Sequence, residues 1–197
     1  IEHMLCSPTG RAAKRLTEAT EREAQTIHRM LGFNGKDWEY NDCNPLPTKC
    51  VIIDEVSMVD ILLFRRLLDA IESDTRLILI GDSDQLPSVG PGNVLHDLIE
   101  SNMISVIKLT KIFRQAKGSD IITVAHQILN GEVPTLDSPA KSKGKKCMLV
   151  ASDDKEQLLK YIEALVGTHL PNANVNSTDI QILTPMRERG LGVNDIN

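Results

Sequence analysis

Aromatic residues are scarce in this chain: three Phe, two Tyr and one Trp in 197 residues. A protein that grips nucleic acid mainly by stacking bases needs more rings than that, so stacking platforms are few. There are four cysteines, Cys6, Cys43, Cys50 and Cys147, and none belongs to a CxxC pair. That spacing argues against a zinc site or a disulfide framework, and reduced thiols in a cytoplasmic protein are expected. No apolar run is long enough to cross a membrane. The best stretch, residues 51–64, is interrupted by Asp54, Glu55 and Asp60. No secretory leader pattern is visible. Positive charge is not in excess either, with 22 Lys and Arg against 27 Asp and Glu and a net charge of -5. This excludes a non-specific basic coat for nucleic acid but leaves room for a local basic groove. Finally, no glycine opens the phosphate-binding pattern GxxxxGK followed by Ser or Thr.

What is present is an ordinary globular composition, 41% hydrophobic and 25% charged, long enough for one good-sized domain or one and a half. The opening IEHM reads as a cloning remnant over residues 1–3 that ends at a start-type Met4. Residues 4–7, MLCS, read as the end of a strand before a Pro-Thr-Gly turn. A helix over 11–20 follows, with Ala12, Ala13 and Leu16 on one face, then a short helix in EAQTIHRMLG stopped by Gly32. Residues 33–49 read as a long loop. From there strand and helix alternate. Val51 to Asp54 is a buried strand, and Asp60 caps a helix whose face is Leu63, Leu67, Leu68 and Ile71. Leu77 to Ile80 is the next strand, making a βαβ unit with parallel strands. Val94 to Glu100 reads as a helix, and Ser105 to Leu109 as a further strand candidate.

Ser119 is placed to cap a helix from Asp120 to Asn130, ended by Gly131. Residues 132–146 read as a flexible connection. A strand at Cys147 to Val150, a helix at Asp154 to Val166 with a cap-like Asp153, and a strand at Ile180 to Leu183 form a second alternating region.

Chemistry gathers at the strand ends. Asp54 and Glu55 close an apolar strand, where α/β sheets collect their ligands. One carboxylate suits a magnesium shell and the other an attacking water; read alone, the pair fits a solvated cap equally well. Past the neighbouring strand, LILIGDSDQLPSVGPG supplies Asp82, Asp84 and Gln85, and the Gln85 amide can both donate and accept hydrogen bonds. In LTKIFRQ, the Arg114 guanidinium is of the kind that neutralises charge on a transferred phosphoryl group. SPTGRAAKR offers the Thr9 hydroxyl, helix-start N–H groups and Arg11 to a sugar-phosphate backbone. Thr26 and His28 are candidate additional contacts.

Taken together, PTGRAAKRL, AQTIHRMLG, VIIDEVSMVD, LIGDSDQLPSVGPG, LTKIFRQ and LTPMRERGLGVND resemble, in order, the RecD-type superfamily 1 DNA helicases, the family of the exodeoxyribonuclease V alpha subunit. The resemblance implies an α/β fold: a RecA-like P-loop NTPase parallel sheet lacking its P-loop strand, plus the start of a second RecA-like domain. It implies a partial first motor domain over 4–114, and a linking helix with a partial second motor domain over 115–197. It assigns Asp54 to magnesium with Glu55 nearby as water activator, Gln85 to sensing the γ-phosphate, and Arg114 to reaching that phosphate. Asp54, Glu55, Gln85 and Arg114 thus form the ATP side of the site. Pro8, Thr9, Gly10 and Arg11, with Thr26 and His28, form the DNA side.

The implied function is that of a fragment of an ATP-dependent 5′→3′ helicase of DNA recombination and repair. Such a motor couples ATP hydrolysis, with Mg2+, to translocation on single-stranded DNA, alone or with other subunits of an exonuclease/helicase complex. Without its phosphate loop the fragment is expected to bind no ATP and to hydrolyse none. A degenerate helicase-like binding module, or the helicase domain of a conjugative relaxase, are the alternatives. DNA binding is expected to be weak, with Lys14, Arg15 and the lysines of 141–146 as the basic contacts. A missing strand beside Leu77 to Ile80 would leave exposed sheet edges and a route to non-native association.

Overall fold

The computed structural model describes residues 3–109, 120–139, 147–188 and 190–197. Arg114, Gln115, Ser119 and the lysines of 141–146 lie outside the described residues. The chain divides into two compact units, Ile1–Lys111 and Ile112–Asn197.

The first unit is built on a parallel four-stranded sheet of order β2-β1-β3-β4. Strand β1 (Met4–Ser7) leads into helix α1 (Gly10–Thr20), where Thr9 acts as N-cap by accepting a hydrogen bond from Ala12 N. Helix α1 packs on β1 and on β2 (Ala24–Thr26). Residues 24–26 therefore form a strand, where the sequence suggests the start of a helix. Leu5, Cys6 and Ser7 pair in register with Ala24, Gln25 and Thr26, and Thr17 Oγ1 accepts from Ala24 N at 3.0 Å. This edge pairing overrides the helical propensity of Ala-Gln. Only Ile27–Met30 remain helical (α2), capped by Thr26.

Strand β3 (Cys50–Ile53) lies between β1 and β4 (Arg76–Leu79), and all neighbours are parallel. Helix α3 (Ile61–Asp69) makes the crossover, with Asp60 as its cap through Leu63 N. Its buried face is Leu63, Phe64 and Leu67, with Ile71 half-buried, whereas Leu68 is 43% exposed. Phe64 takes the place expected for Leu68 because residues i, i+1 and i+4 share the wide apolar stripe of a helix on a sheet. Together with Cys6, Ile27, Met30, Leu31, Val51 and Ile53 these residues form one core. Leu67 is fully buried, so its truncation to Ala would cost about 2–5 kcal/mol. Helix α4 (Val94–Glu100) closes the core with Val94 and Leu95.

Ser105 to Leu109 is not a strand. The segment is irregular, with Ile107 89% and Leu109 91% exposed. An apolar β-branched run has no ladder to join there, and β4 is an edge strand of the described sheet.

The second unit contains helices α5 (Asp120–Leu129), α6 (Lys155–Ala164, continued by a π turn), α7 (Leu170–Asn172) and α8 (Val193–Ile196). Its described residues hold no strand, and the candidates 147–150 and 180–183 are irregular. Leu149 N donates to Asp137 O, too little to make a ladder. The cap of α6 is Asp154, which accepts from Glu156 N and Gln157 N, rather than Asp153. The segment 184–197 folds back on itself. Val193 N donates to Met186 O, and the Asp195 carboxylate accepts from the N–H groups of Gly190 and Gly192.

Candidate functional site

The carboxyl edge of the sheet gathers Pro8 to Arg11, Thr26, Asp54, Glu55 and the loop that holds Gln85. Parallel pairing forces this, because every strand ends on the same side. Asp54 follows β3, and its N–H donates to Cys6 O at 3.0 Å. Ser7 pairs with Thr26, so Pro8 to Arg11 and Thr26 leave the sheet from adjacent strands. Strand β4 pairs with β3 through Ile53 and Leu79, and Gln85 lies in the loop beyond it.

The acid pair is held in an unusual backbone. Glu55 adopts a left-handed conformation, φ 58 and ψ 41, at the start of a 3-10 turn over Val56–Met58. For a residue with a Cβ this costs about 1–2 kcal/mol. The turn is sewn to β4 by Val56 N donating to Ile80 O, while Ile80 N donates to Ile53 O. Gly81 lies tight against it: a Cβ there would stand 3.2 Å from Val56 N and 3.3 Å from Ser57 N. Glu55 N donates to Asp54 Oδ1, and Asp54 and Glu55 are both half-buried. Beside them Cys6 is fully buried, and burial pushes its thiol up to about 12, so it stays protonated.

On the β4 side, Asp82 Oδ1 accepts from Asp84 N, and Gln85 Oε1 accepts from the Ser57 hydroxyl. The loop continues through Gly90, which packs on Asp60, and Ile61 N donates to Pro91 O.

A magnesium ion keeps most of its waters and takes only one or two carboxylates together with substrate phosphates. Asp54 suits that role, because one of its oxygens is engaged by Glu55 N and the other has no hydrogen-bond partner among the described residues. No group of three or more His, Cys, Asp or Glu that could hold a metal ion occurs among the described residues.

Several candidates already have structural duties. Thr9 and Thr26 accept helix-capping hydrogen bonds from Ala12 N at 3.3 Å and Arg29 N at 3.1 Å. His28 stacks on Trp38 with ring centroids 5.5 Å apart and meets Phe33 edge-on. Pro8 is half-buried, and Gly10 and Arg11 are exposed. Sequence reasoning passed over Ser57. Its signal was present, a hydroxyl two residues after the acid pair, but the partner that gives it meaning is 28 positions away.

The parallel sheet and the polar residues along its carboxyl edge define the class, a RecA-like α/β domain. By sequence the chain is similar to RecD-type helicases. A family described as an AAA domain matches residues 1–91. The ATP-dependent RecD2 DNA helicase of Deinococcus radiodurans is 38% identical over 201 residues, covering 100% of this chain and 26% of that protein. The RecBCD enzyme subunit RecD of Mycolicibacterium smegmatis is 33% identical over 80% of this chain and 32% of that subunit. The chain thus spans about a quarter to a third of the length of these relatives. Among solved structures, a Pif1 helicase from Bacteroides is 22% identical, with a TM-score of 0.47, over 81% of this chain and 46% of that one. No described helix is long and apolar enough to cross a membrane.

Proposed function

We propose that this chain supplies the magnesium- and water-handling edge of an ATP-driven DNA helicase that moves 5′→3′ on single-stranded DNA. The observation that carries the reading is the register of β3 with β4, which puts the acid pair and the Gln85 loop on neighbouring strand ends. The 38% identity of this chain to a quarter of an ATP-dependent helicase supports it.

In this reading Asp54 holds the magnesium shell, and Glu55 takes the proton of the attacking water as general base. Magnesium, when bound with ATP, neutralises phosphate charge. Gln85 reports the γ-phosphate, and Arg114 stabilises its charge. Pro8 to Arg11 leave the sheet from the strand next to β3, so phosphate sensing and DNA contact share one rigid edge. Single-stranded DNA is the partner, and other subunits of a nuclease complex are candidates by the RecD likeness. The partial motor domains over 4–114 and 115–197 belong to the same reading.

Glu55→Gln in the complete gene product tests it. The carboxamide keeps the shape but cannot take a proton, so DNA-stimulated ATP hydrolysis is expected to fall at least a hundredfold. ATP affinity is expected to change less than threefold. Hydrolysis at the wild-type rate would discard the assignment. The 197-residue chain by itself, having no GxxxxGK loop, is expected to hydrolyse ATP only at background.

A further inference from the structure

We infer that Ser57 is a positioning residue that sets the orientation of the Gln85 side-chain amide. Ser57 is 6% exposed, and its hydroxyl donates to Gln85 Oε1 at 3.4 Å. No other hydrogen-bond partner of that hydroxyl occurs among the described residues. A buried hydroxyl needs a partner, and here it meets the carbonyl end of the amide, which turns inward. With Oε1 held by Ser57, the NH2 of Gln85 remains as the free donor on an otherwise exposed side chain.

The backbone beneath gives the hydroxyl a firm base. Ser57 sits in the turn that follows Glu55 and is tied to Ile80 O through Val56 N. Gly81 leaves no slack between that turn and the start of the Gln85 loop. The length of the hydrogen bond suits a contact that tightens when the site fills.

The consequence is a Gln85 that works as a hydrogen-bond donor to an anionic oxygen. This rests on the reading of Gln85 as the phosphate sensor. In the complete gene product, Ser57→Ala is expected to lower kcat for DNA-stimulated ATP hydrolysis about tenfold, with KM for ATP within twofold and an unchanged melting temperature. Ser57→Thr keeps the hydroxyl and is expected to stay within threefold of wild type. In a Gln85→Ala background, adding Ser57→Ala is expected to change nothing, because the residue acts through the missing amide. Independent losses that multiply in the double variant would overturn the inference while leaving Gln85 as sensor. So would a Ser57→Ala variant with wild-type kcat beside an impaired Gln85→Ala. Wild-type kcat in Gln85→Ala would overturn the sensor reading itself, and the inference with it.

Discussion

Two residues at the sheet edge are held at a cost. Glu55 takes a left-handed backbone that disfavours any residue with a Cβ. Such outliers persist where the surrounding structure over-determines them, often at functional sites. Ser7 is the second. It is fully buried, and its hydroxyl is the single buried side-chain polar atom without a hydrogen-bond partner among the described residues. An unsatisfied hydroxyl carries a desolvation penalty, so Ser7→Ala is expected to raise stability by about 1 kcal/mol, read from urea denaturation. A loss of stability would show that the hydroxyl is satisfied in solution. Neither cost is written in the sequence. Asp54 and Glu55 were legible as a pair because an apolar strand ends on them, but the twist of the chain between them is set by the contacts of the following turn.

Among elements, β1, β3, α3, β4 and α4 were legible because their apolar runs are bounded by caps and glycines. Strand β2 was not, since Ala24-Gln25-Thr26 carries no alternating apolar pattern and becomes a strand only by pairing with β1. Ser105 to Leu109 failed in the opposite way: the pattern is there, and the partner strand is missing from the described sheet. The glycine-rich loop after Gln85 has a purpose that spacing alone does not reveal. A Cβ on Gly90 would collide with Asp60 Oδ2, part of the carboxylate that caps α3. Gly90→Ala is therefore expected to dislodge the cap and cost about 1–2 kcal/mol. Gly10, where a Cβ meets nothing within 4 Å, gives the control. Gly10→Ala is expected to stay within about 0.5 kcal/mol of wild type. Equal melting temperatures for the two alanine variants would refute the role of Gly90.

For the whole molecule, every buried apolar side chain among the described residues lies between Leu5 and Leu95. The described part of the second unit leaves Ile121, Ile128, Leu149 and Leu183 more than half exposed. Stability follows buried apolar contacts, so limited proteolysis is expected to cut first beyond residue 103 and to leave a resistant core spanning β1 to α4. First cuts within β1 to α4 would contradict this. The alternation of strand and helix after Cys147 suggested a second sheet, yet its apolar runs need partners that the described residues do not supply.

Among the described residues, strand β4 has a neighbour on one side only. The N–H groups of Arg76 and Ile80 are spent on Lys49 O and Ile53 O. By the parity of a parallel ladder, those of Leu77 and Leu79 face the open side. A strand arriving there meets a lock with two-residue teeth. Its register can shift only in steps of two, and a single-residue slip would turn its whole apolar set to the wrong face. On one of those faces Ile78 and Ile80 are already 39% and 48% exposed. The edge therefore discriminates among arriving strands by which alternate positions carry their apolar side chains.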